Sequence, residues 1–234
     1  MKLQKLTNPR RNEEKRRTYD DACGLAHALE LLGERWAMLV MRELAYGPRR
    51  FSELKGDLHG ISANVLTQRL TELEERGLVR KIRLPPPASV QVYEATEWGL
   101  EAIPVIASLG RWAARSPLHD PTLPMSHVAL IMSLQTLLSP TRAEGLDARI
   151  GFRLRDAGYV ATVKDGRLDV ERREADRCDV TFAGSPSEVA AVIHGGAPFE
   201  TILVEGDLEL AKRFVNLFPL PEKVAEVEAG AAIS

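Results

Sequence analysis

Apolar residues recur at three- and four-residue steps through most of the first half of the chain, and this spacing is typical of helices packed on a core. The pattern predicts helices at about 21–33, 34–46, 49–58, 62–76 and 100–115. Two runs rich in β-branched residues, 78–84 and 90–95, flank Pro85-Pro86-Pro87 and predict a hairpin with a stiff tip. Pro104 is expected to kink the helix that follows. Helix, helix, short helix, helix, hairpin and helix is the order of a winged helix-turn-helix domain.

The second half of the chain has a different pattern. Residues 116–125 contain three prolines and no apolar period, which is typical of a linker. An amphipathic helix is predicted at 126–138. Short strands separated by turn residues follow, together with two more helices. The strands are predicted at 148–155, 159–164, 167–171, 179–182 and 202–205, and the helices at 185–194 and 208–218.

Composition narrows the classes of protein. The chain has 234 residues, of which 44% are hydrophobic and 27% charged, so it can form one large or two ordinary domains. It lacks a run of about 18 apolar residues, and its charged start lacks the apolar segment of a secretory signal. Two distant cysteines argue against a disulfide scaffold or a cysteine-rich zinc site. We therefore expect a protein of the reducing cytoplasm.

The net charge of −2 conceals an asymmetry between the halves. The first 120 residues are slightly basic, above all the first 20, and the remainder is acidic. Binding to a polyanion is therefore expected only of the first half.

The helix at 62–76 is the candidate recognition helix. Leu66, Leu70 and Leu73 share one face and are expected to point into the core. The opposite face is polar and uncharged or basic in its amino-terminal half, whereas the acidic residues gather in the carboxy-terminal half. This gradient favours insertion of the amino-terminal end into a DNA groove, where the helix dipole also favours phosphate.

Several side chains on and around this helix suit contacts with DNA. Asn64 and Gln68 carry amides that can read adenine, Thr67 lies beside them, and Ser62 can cap the helix and meet a phosphate. Basic side chains stand where phosphates need neutralising. These are Arg49, Arg50, Arg69, Arg80, Lys81 and Arg83. A solvated helix also has a polar outer face, so the face alone does not decide between the two interpretations.

Longer stretches of the first half resemble a known family. They are Leu31-Leu32-Gly33-Glu34-Arg35-Trp36, residues 42–54, residues 60–70, residues 73–79 and Thr96-Glu97-Trp98-Gly99. Together they resemble the HxlR-type transcriptional regulators of the MarR-like winged-helix group. The resemblance implies a homodimeric repressor or activator that binds double-stranded DNA and pairs through its terminal helices, here 21–32 and 100–115. Its pseudo-palindromic operator would have half-sites about one helical turn apart.

Cys23 offers a second interpretation. In some members of this family the corresponding cysteine senses electrophiles or oxidants, because a thiolate near a helix amino terminus is activated. The family usually has a proline next, whereas Gly24 follows here, and a cysteine packed as a small apolar group is the alternative. The protein would then be a redox-responsive regulator whose second domain serves only for dimerisation or partner docking.

Residues 126–218 resemble, less specifically, the sterol carrier protein 2-like fold. The resemblance rests on the order of elements and on Ile202-Leu203-Val204-Glu205-Gly206-Asp207 before the last helix. It implies a sheet with helices over one face and an apolar tunnel for a lipid or another hydrophobic effector. The candidate lining residues are Val189, Val192, Ile193, Phe199, Ile202, Leu210, Phe214 and Phe218. For each of them an ordinary place in the core is the alternative.

The predicted fold is therefore a mainly α winged helix-turn-helix domain with a β-hairpin wing, followed by a C-terminal α+β domain. The predicted boundaries are a flexible basic arm at 1–20, the DNA-binding and dimerisation domain at 21–115, the linker at 116–125, the second domain at 126–220 and a tail at 221–234. The histidines are scattered, and neither a phosphate loop nor a nucleophile motif appears. We expect no enzymatic activity, metal, cofactor or membrane. Lipid carriage with an incidental winged helix is a third interpretation.

Overall fold

The structure is a computed structural model that describes residues 19–225. Most of the predicted arm (1–18) and the end of the predicted tail (226–234) lie outside the described residues. The first domain has the predicted order of helices and hairpin. Its elements are α1 (Gly24–Leu32), α2 (Ala37–Glu43), α3 (Phe51–Asp57), α4 (Ala63–Glu75), β1 (Val79–Arg83), β2 (Gln91–Ala95), α5 (Glu97–Glu101) and α6 (Ile103–Ala113).

The leucine spacing of the predicted recognition helix explains how α4 is anchored. Leu66, Leu70 and Leu73 are all buried in the core of the first domain. Ser62 begins the helix, because its Oγ accepts a hydrogen bond from the Val65 backbone N–H at 3.2 Å. Gly77 ends this segment with φ +74°, which an L side chain rarely adopts, and the chain then enters β1.

The last helix of this domain differs from the prediction. Instead of one kinked helix at 100–115 there are two, α5 and α6, with Ala102 between them. Pro104 lies in the first turn of α6, where its missing N–H would have no partner in any case, so a new helix starts there. Helix α1 also begins three residues later than predicted, at Gly24.

The second domain is an α+β unit. Its elements are α7 (His127–Leu137), β3 (Ala148–Leu154), β4 (Ala157–Lys164), β5 (Arg167–Glu171), β6 (Val180–Gly184), α8 (Pro186–Gly195), β7 (Leu203–Gly206) and α9 (Leu208–Val215), with a 3₁₀ turn at Phe199–Thr201. Within the described residues the sheet has the strand order β5-β4-β3-β6-β7. Helices α7, α8 and α9 cover the face on which Phe152, Tyr159 and Phe182 are buried.

The sheet is mixed, and a simple meander does not describe it. Strand β3 pairs with β6 in parallel, so the chain after β5 must cross two strands to reach the far side. Two glycines leave room for this crossing segment. A Cβ at Gly158 would lie 2.6 Å from the Arg173 carbonyl oxygen, and one at Gly151 would lie 3.0 Å from the Cys178 sulfur.

Helix α7 is more deeply buried than an amphipathic helix would be, which corrects the prediction. Seven of its residues are buried: His127, Val128, Leu130, Ile131, Met132, Leu134 and Leu137. The helix contacts α8 and β5 on one side and α2 and α6 of the first domain on the other. A helix that is apolar on every side is a buried helix, so α7 joins the two domains instead of facing solvent.

The carboxy-terminal segment also contacts the first domain. The Lys223 ammonium donates to the carbonyl oxygens of Ala114 at 3.0 Å and Ser116 at 2.9 Å, at the end of α6. The Val224 backbone N–H donates to the Arg115 carbonyl oxygen at 2.9 Å. None of the helices between residues 19 and 225 is both long enough and apolar enough to cross a bilayer.

Candidate functional site

The amino-terminal half of α4 presents a polar surface to solvent. Ser62, Asn64, Thr67 and Gln68 are all exposed there. The Gln68 amide donates to Glu72 Oε1 at 2.9 Å, which holds it along the helix surface. The exposed amides thus lie where the sequence predicts them, on the face opposite the buried leucines.

Arg69 has a different environment from the one predicted. It is buried, and its Nη1 donates to Glu72 Oε2 at 2.5 Å and lies 3.5 Å from Glu34 Oε2. Two carboxylates therefore occupy its guanidinium, which holds α4 to the segment between α1 and α2. In this conformation Arg69 has a structural role and does not present its charge to a phosphate.

Arg50 and the wing carry the exposed cationic side chains. Arg50 lies at the start of α3, and its side chain has no carboxylate partner in the described part of the chain. Lys81 and Arg83 are exposed on β1, and Arg83 Nε donates to the Ser89 carbonyl oxygen at 3.3 Å. Arg80 Nε is paired with Glu94 Oε1 at 2.5 Å, but the side chain remains 64% exposed. In the sequence these residues precede and follow α4, and their exposed cationic groups can contact a DNA backbone.

Arg49 is in the protein interior, although the sequence predicts a phosphate contact for it. Only 2% of this residue is exposed. Its Nη2 donates to Asp57, its Nε donates to Glu53 Oε2 at 3.2 Å, and its Nη1 lies 3.7 Å from Glu43 Oε2. A cation that lies among three carboxylates inside the molecule cannot reach a phosphate without leaving them.

Arg49 and the three carboxylates around it form a buried cluster that continues into the second domain. Sequence reasoning missed this cluster. His127 Nε2 lies 3.3 Å from Asp57 Oδ2, and Ser126 Oγ donates to Glu43 Oε1 at 2.7 Å. Hydrogen bonds from His127 and Arg49 lower the pKa of Asp57 to about 2, although burial opposes this change. One signal was available in the sequence: Glu43 shares the helix face of Val40 and must therefore be buried beside a cation.

Cys23 lies just before α1 and is exposed. Backbone N–H groups of Leu25 and Ala26 lower the pKa of its thiol, because they stabilise the thiolate. The other cysteine, Cys178, differs in that burial raises its pKa. Of the two thiols, Cys23 is the more exposed and the one whose pKa is lowered.

The predicted lining of the apolar tunnel forms the core of the second domain. Val189, Val192, Ile193, Phe214 and Phe218 are buried, whereas Phe199, Ile202 and Leu210 are partly buried against them.

Aromatic rings fill the centre of this core. The rings of Phe214 and Phe218 meet edge to face at 4.9 Å between centroids, and Phe152 and Phe182 stack at 5.7 Å. An apolar ligand would have to displace these contacts, most easily next to the partly buried residues.

Large apolar side chains are exposed on the two terminal helices of the first domain. None of the residues of α6 is buried, and Val105 and Trp112 on it are 69% and 70% exposed. Leu25 on α1 is 68% exposed. An apolar surface of this kind marks an interaction site. The described residues contain no group of three or more histidine, cysteine or acidic side chains that could hold a metal ion.

In a comparison with known proteins, two different family models match the two halves of the chain. The family model described as HxlR-like helix-turn-helix matches residues 31–119. The transcriptional regulator YvaP of Bacillus subtilis, described as an uncharacterised helix-turn-helix-type protein, is 34% identical over 86 residues, which are 37% of this chain and 80% of YvaP. The chain belongs to the HxlR-like helix-turn-helix family. The family model described as SCP-2 sterol transfer family matches residues 129–219, so the C-terminal domain is an SCP-2 domain.

Other relatives agree with this assignment. The helix-turn-helix-type transcriptional regulator YodB of B. subtilis is 36% identical over 86 residues, which are 37% of this chain and 77% of YodB. The solved reduced form of YodB covers 43% of this chain and all of its own, with 32% identity and a TM-score of 0.38. The family matches and the curated relatives YvaP and YodB make this HxlR-like protein a transcriptional regulator of the helix-turn-helix type with an added SCP-2 domain. The predicted family and fold of both domains are confirmed.

Proposed function

We propose that this HxlR-like protein is a cytoplasmic homodimer that binds a pseudo-palindromic operator in double-stranded DNA, and that it is not an enzyme. Asn64, Thr67 and Gln68 read base edges in the major groove, and Ser62 and Arg50 contact phosphates. Lys81, Arg83 and the exposed part of Arg80 contact the backbone beside the wing. The observation that carries the proposal is the exposed polar half of α4, supported by exposed Arg50, whose side chain has no carboxylate partner among residues 19–225.

The proposed homodimer forms through α1 and α6. The large apolar side chains exposed on both helices support this interface, because monomeric proteins rarely leave such a surface in water. A two-fold dimer places two copies of α4 on one side, so operator half-sites are expected about one helical turn apart.

The C-terminal domain is proposed to bind an apolar effector. Membership of the SCP-2 sterol transfer family supports a hydrophobic ligand, and the partly buried Phe199, Ile202 and Leu210 mark where the core can open to admit it. Binding there would favour one arrangement of the dimer over another and so change operator affinity.

Regulation through Cys23 is the second candidate. Its support is the combination of an exposed side chain and a lowered thiol pKa at the start of a proposed dimer helix. Oxidation or alkylation of this thiol would alter the surface through which α1 pairs.

Selection of bound sequences from a random duplex library, at two salt concentrations, tests the proposal. Enrichment of a two-fold site with steep salt dependence is the expected result. Equal binding to all sequences would overturn sequence-specific recognition. Repeating the selection after organic extraction of bound apolar molecules tests the effector. Repeating it with an oxidant, on wild type and Cys23→Ala, tests the thiol: inhibition that persists in Cys23→Ala excludes it.

Replacing a base-reading side chain should affect DNA binding differently from replacing a phosphate-binding side chain. Asn64→Ala and Gln68→Ala are expected to cost about 1–3 kcal/mol of binding free energy at particular base pairs. Arg50→Ala is expected to weaken binding to all sequences alike and to reduce the salt slope by about one, because one phosphate contact is lost. Fluorescence anisotropy with matched and mismatched duplexes measures both effects. Arg167→Ala, an exposed arginine of β5, is the control and should change neither.

Trp112→Glu should convert the proposed dimer into a monomer. The substitution places a charge at an exposed apolar position of α6 and leaves the monomer core untouched, since Trp112 is not among the residues of that core. Sedimentation equilibrium at micromolar concentration measures the mass, and circular dichroism checks the helix content. Leu203→Glu, which changes an exposed leucine on β7, is the matched control. A wild-type monomer, or an unchanged Trp112→Glu dimer, contradicts this interface.

A further inference from the structure

We propose that His127 and Tyr159 of the SCP-2 domain are positioning residues for the helix pair α3–α4, which they hold through Asp57. This inference rests on the proposed DNA-binding function, since α4 is the helix that is proposed to read DNA. In this view, buried polar side chains connect the second domain to α3 and α4.

The connection begins at Asp57, the last residue of α3. Its carboxylate lies 3.3 Å from His127 Nε2, and His127 Nδ1 lies 2.6 Å from the Tyr159 hydroxyl. A single neutral tautomer satisfies both contacts: the hydroxyl donates to Nδ1, and the Nε2 proton is donated to Asp57. His127 is buried, and Tyr159 is fully buried. Because water is excluded, the imidazole has few alternatives to these two partners.

The contacts form a closed ring that includes both domains. Asp57 receives a hydrogen bond from Arg49, whose guanidinium also faces Glu43 of α2. Glu43 in turn accepts from the hydroxyl of Ser126, which is the neighbour of His127 in the chain. A ring of buried polar groups constrains position more than a single contact, because moving one member leaves others without partners.

Tyr159 connects this ring to the core of the SCP-2 domain. It lies on β4 with its ring among the buried side chains of the sheet, and it meets Tyr46 of the first domain edge to face at 5.8 Å. The Tyr46 hydroxyl donates to Gln135 Oε1 of α7 at 2.5 Å, which makes a second link at the same place. A change in the packing around β4 is therefore transmitted to the orientation of His127, and from there to α3.

Two amide substitutions separate the two bonds of His127. In His127→Gln the side-chain amide can take the place of Nε2 and keep the bond to Asp57. In His127→Asn the shorter amide can take the place of Nδ1 and keep only the bond to Tyr159. The volumes and polarity of the two variants are similar, so a difference between them reports which bond matters. Tyr159→Phe removes a single hydroxyl and gives a third variant in case either amide prevents folding.

The experiment uses the full-length protein with two readouts. Without DNA, amide hydrogen exchange across 51–76 is expected to be about tenfold faster in His127→Asn than in wild type and nearly normal in His127→Gln. With the selected operator, the dissociation constant is expected to rise by about tenfold in His127→Asn alone. Tyr159→Phe should lie between the two, and His119→Asn, at an exposed histidine, should match wild type.

The outcomes distinguish this inference from the proposed function. Unchanged exchange in folded His127→Asn and Tyr159→Phe overturns the positioning role, as does equal acceleration in the Asn and Gln variants, which would indicate a general loss of stability. If wild type selects no operator, the proposed DNA-binding function fails. The exchange readout then still decides whether His127 holds α3.

Discussion

Replacing Arg49 with methionine is expected to lower the free energy of unfolding by about 3–5 kcal/mol. Methionine preserves much of the side-chain volume, so the loss comes from charge and not from a cavity. Glu43 Oε1 would keep Arg42 and Ser126, but its buried Oε2 would lose the guanidinium that faces it, and Asp57 would keep only His127. Removing one partner of a buried ion pair is costly because the other charge stays in a medium that solvates it poorly.

Arg50→Met is a control at the adjacent position in the chain. Arg50 is exposed and has no carboxylate partner in the described structure, so its replacement should change unfolding by less than about 0.5 kcal/mol. Urea unfolding followed by tryptophan fluorescence and by circular dichroism measures both variants. The effect on DNA binding is expected to be the opposite. Arg50→Met should bind DNA more weakly than folded Arg49→Met, because only Arg50 is proposed to contact a phosphate. Arg49→Met with wild-type stability would show that the buried cluster does not form in solution.

Arg49 and Arg50 also show what could not be predicted from the sequence. Their chemistry is identical, and both precede α3, so sequence alone assigned both to phosphate. What distinguishes them is the position of Glu43, Asp57 and the second domain around Arg49, and that depends on tertiary packing. By contrast, the leucine period and the Ser62 cap of α4 are local features, and they predicted the buried leucines and the exposed amides of that helix correctly, whereas the burial of Arg69 beside Glu34 and Glu72 was missed.

The same distinction applies to the second domain. Strand positions followed from local turn residues, but the parallel pairing of β3 with β6 did not, because short strands carry little information about their order. The burial of α7 on both sides was missed although its sequence contains the evidence: apolar residues occur around the whole helix, as in Ile131, Met132 and Leu137. The prolines at 116–125 predicted a linker, but nothing in the local sequence predicted the buried side chains that join the two domains beside it.

The SCP-2 domain is expected to lose stability between about pH 6.5 and pH 4 through a single histidine, His194. Burial between α7 and Phe218 lowers its pKa from 6.5 to about 4. Its Nε2 is 3.0 Å from Ser133 Oγ, and its ring meets Phe218 edge to face at 6.4 Å, so the folded protein holds the imidazole in its neutral form.

The direction of this effect follows from proton binding. Well above pH 6.5 the imidazole is neutral in both the folded and the unfolded protein, and His194 contributes no pH dependence. As the pH falls below 6.5, the unfolded chain takes up a proton that the folded chain refuses, so unfolding is favoured progressively until the folded pKa is reached near 4. The full loss is about 3 kcal/mol, from about 1.4 kcal/mol for each pH unit. Asp57, whose pKa is about 2, contributes stability that is lost only at lower pH, so the two groups act in separate ranges.

His194→Leu should remove most of this pH dependence, because leucine fills the site without a titratable group. Ser133 keeps a partner in the variant, since its hydroxyl donates to the Leu130 carbonyl oxygen at 2.7 Å. Urea unfolding at half-unit steps from pH 7.5 to 4.5 gives the slope, with exposed His119→Leu as the control that should keep the wild-type slope. A slope that is the same in wild type and His194→Leu would show that His194 is accessible to protons in the folded state. A flattened slope would identify it as a histidine held neutral beside Phe218, in the part of the core where the apolar effector is proposed to bind.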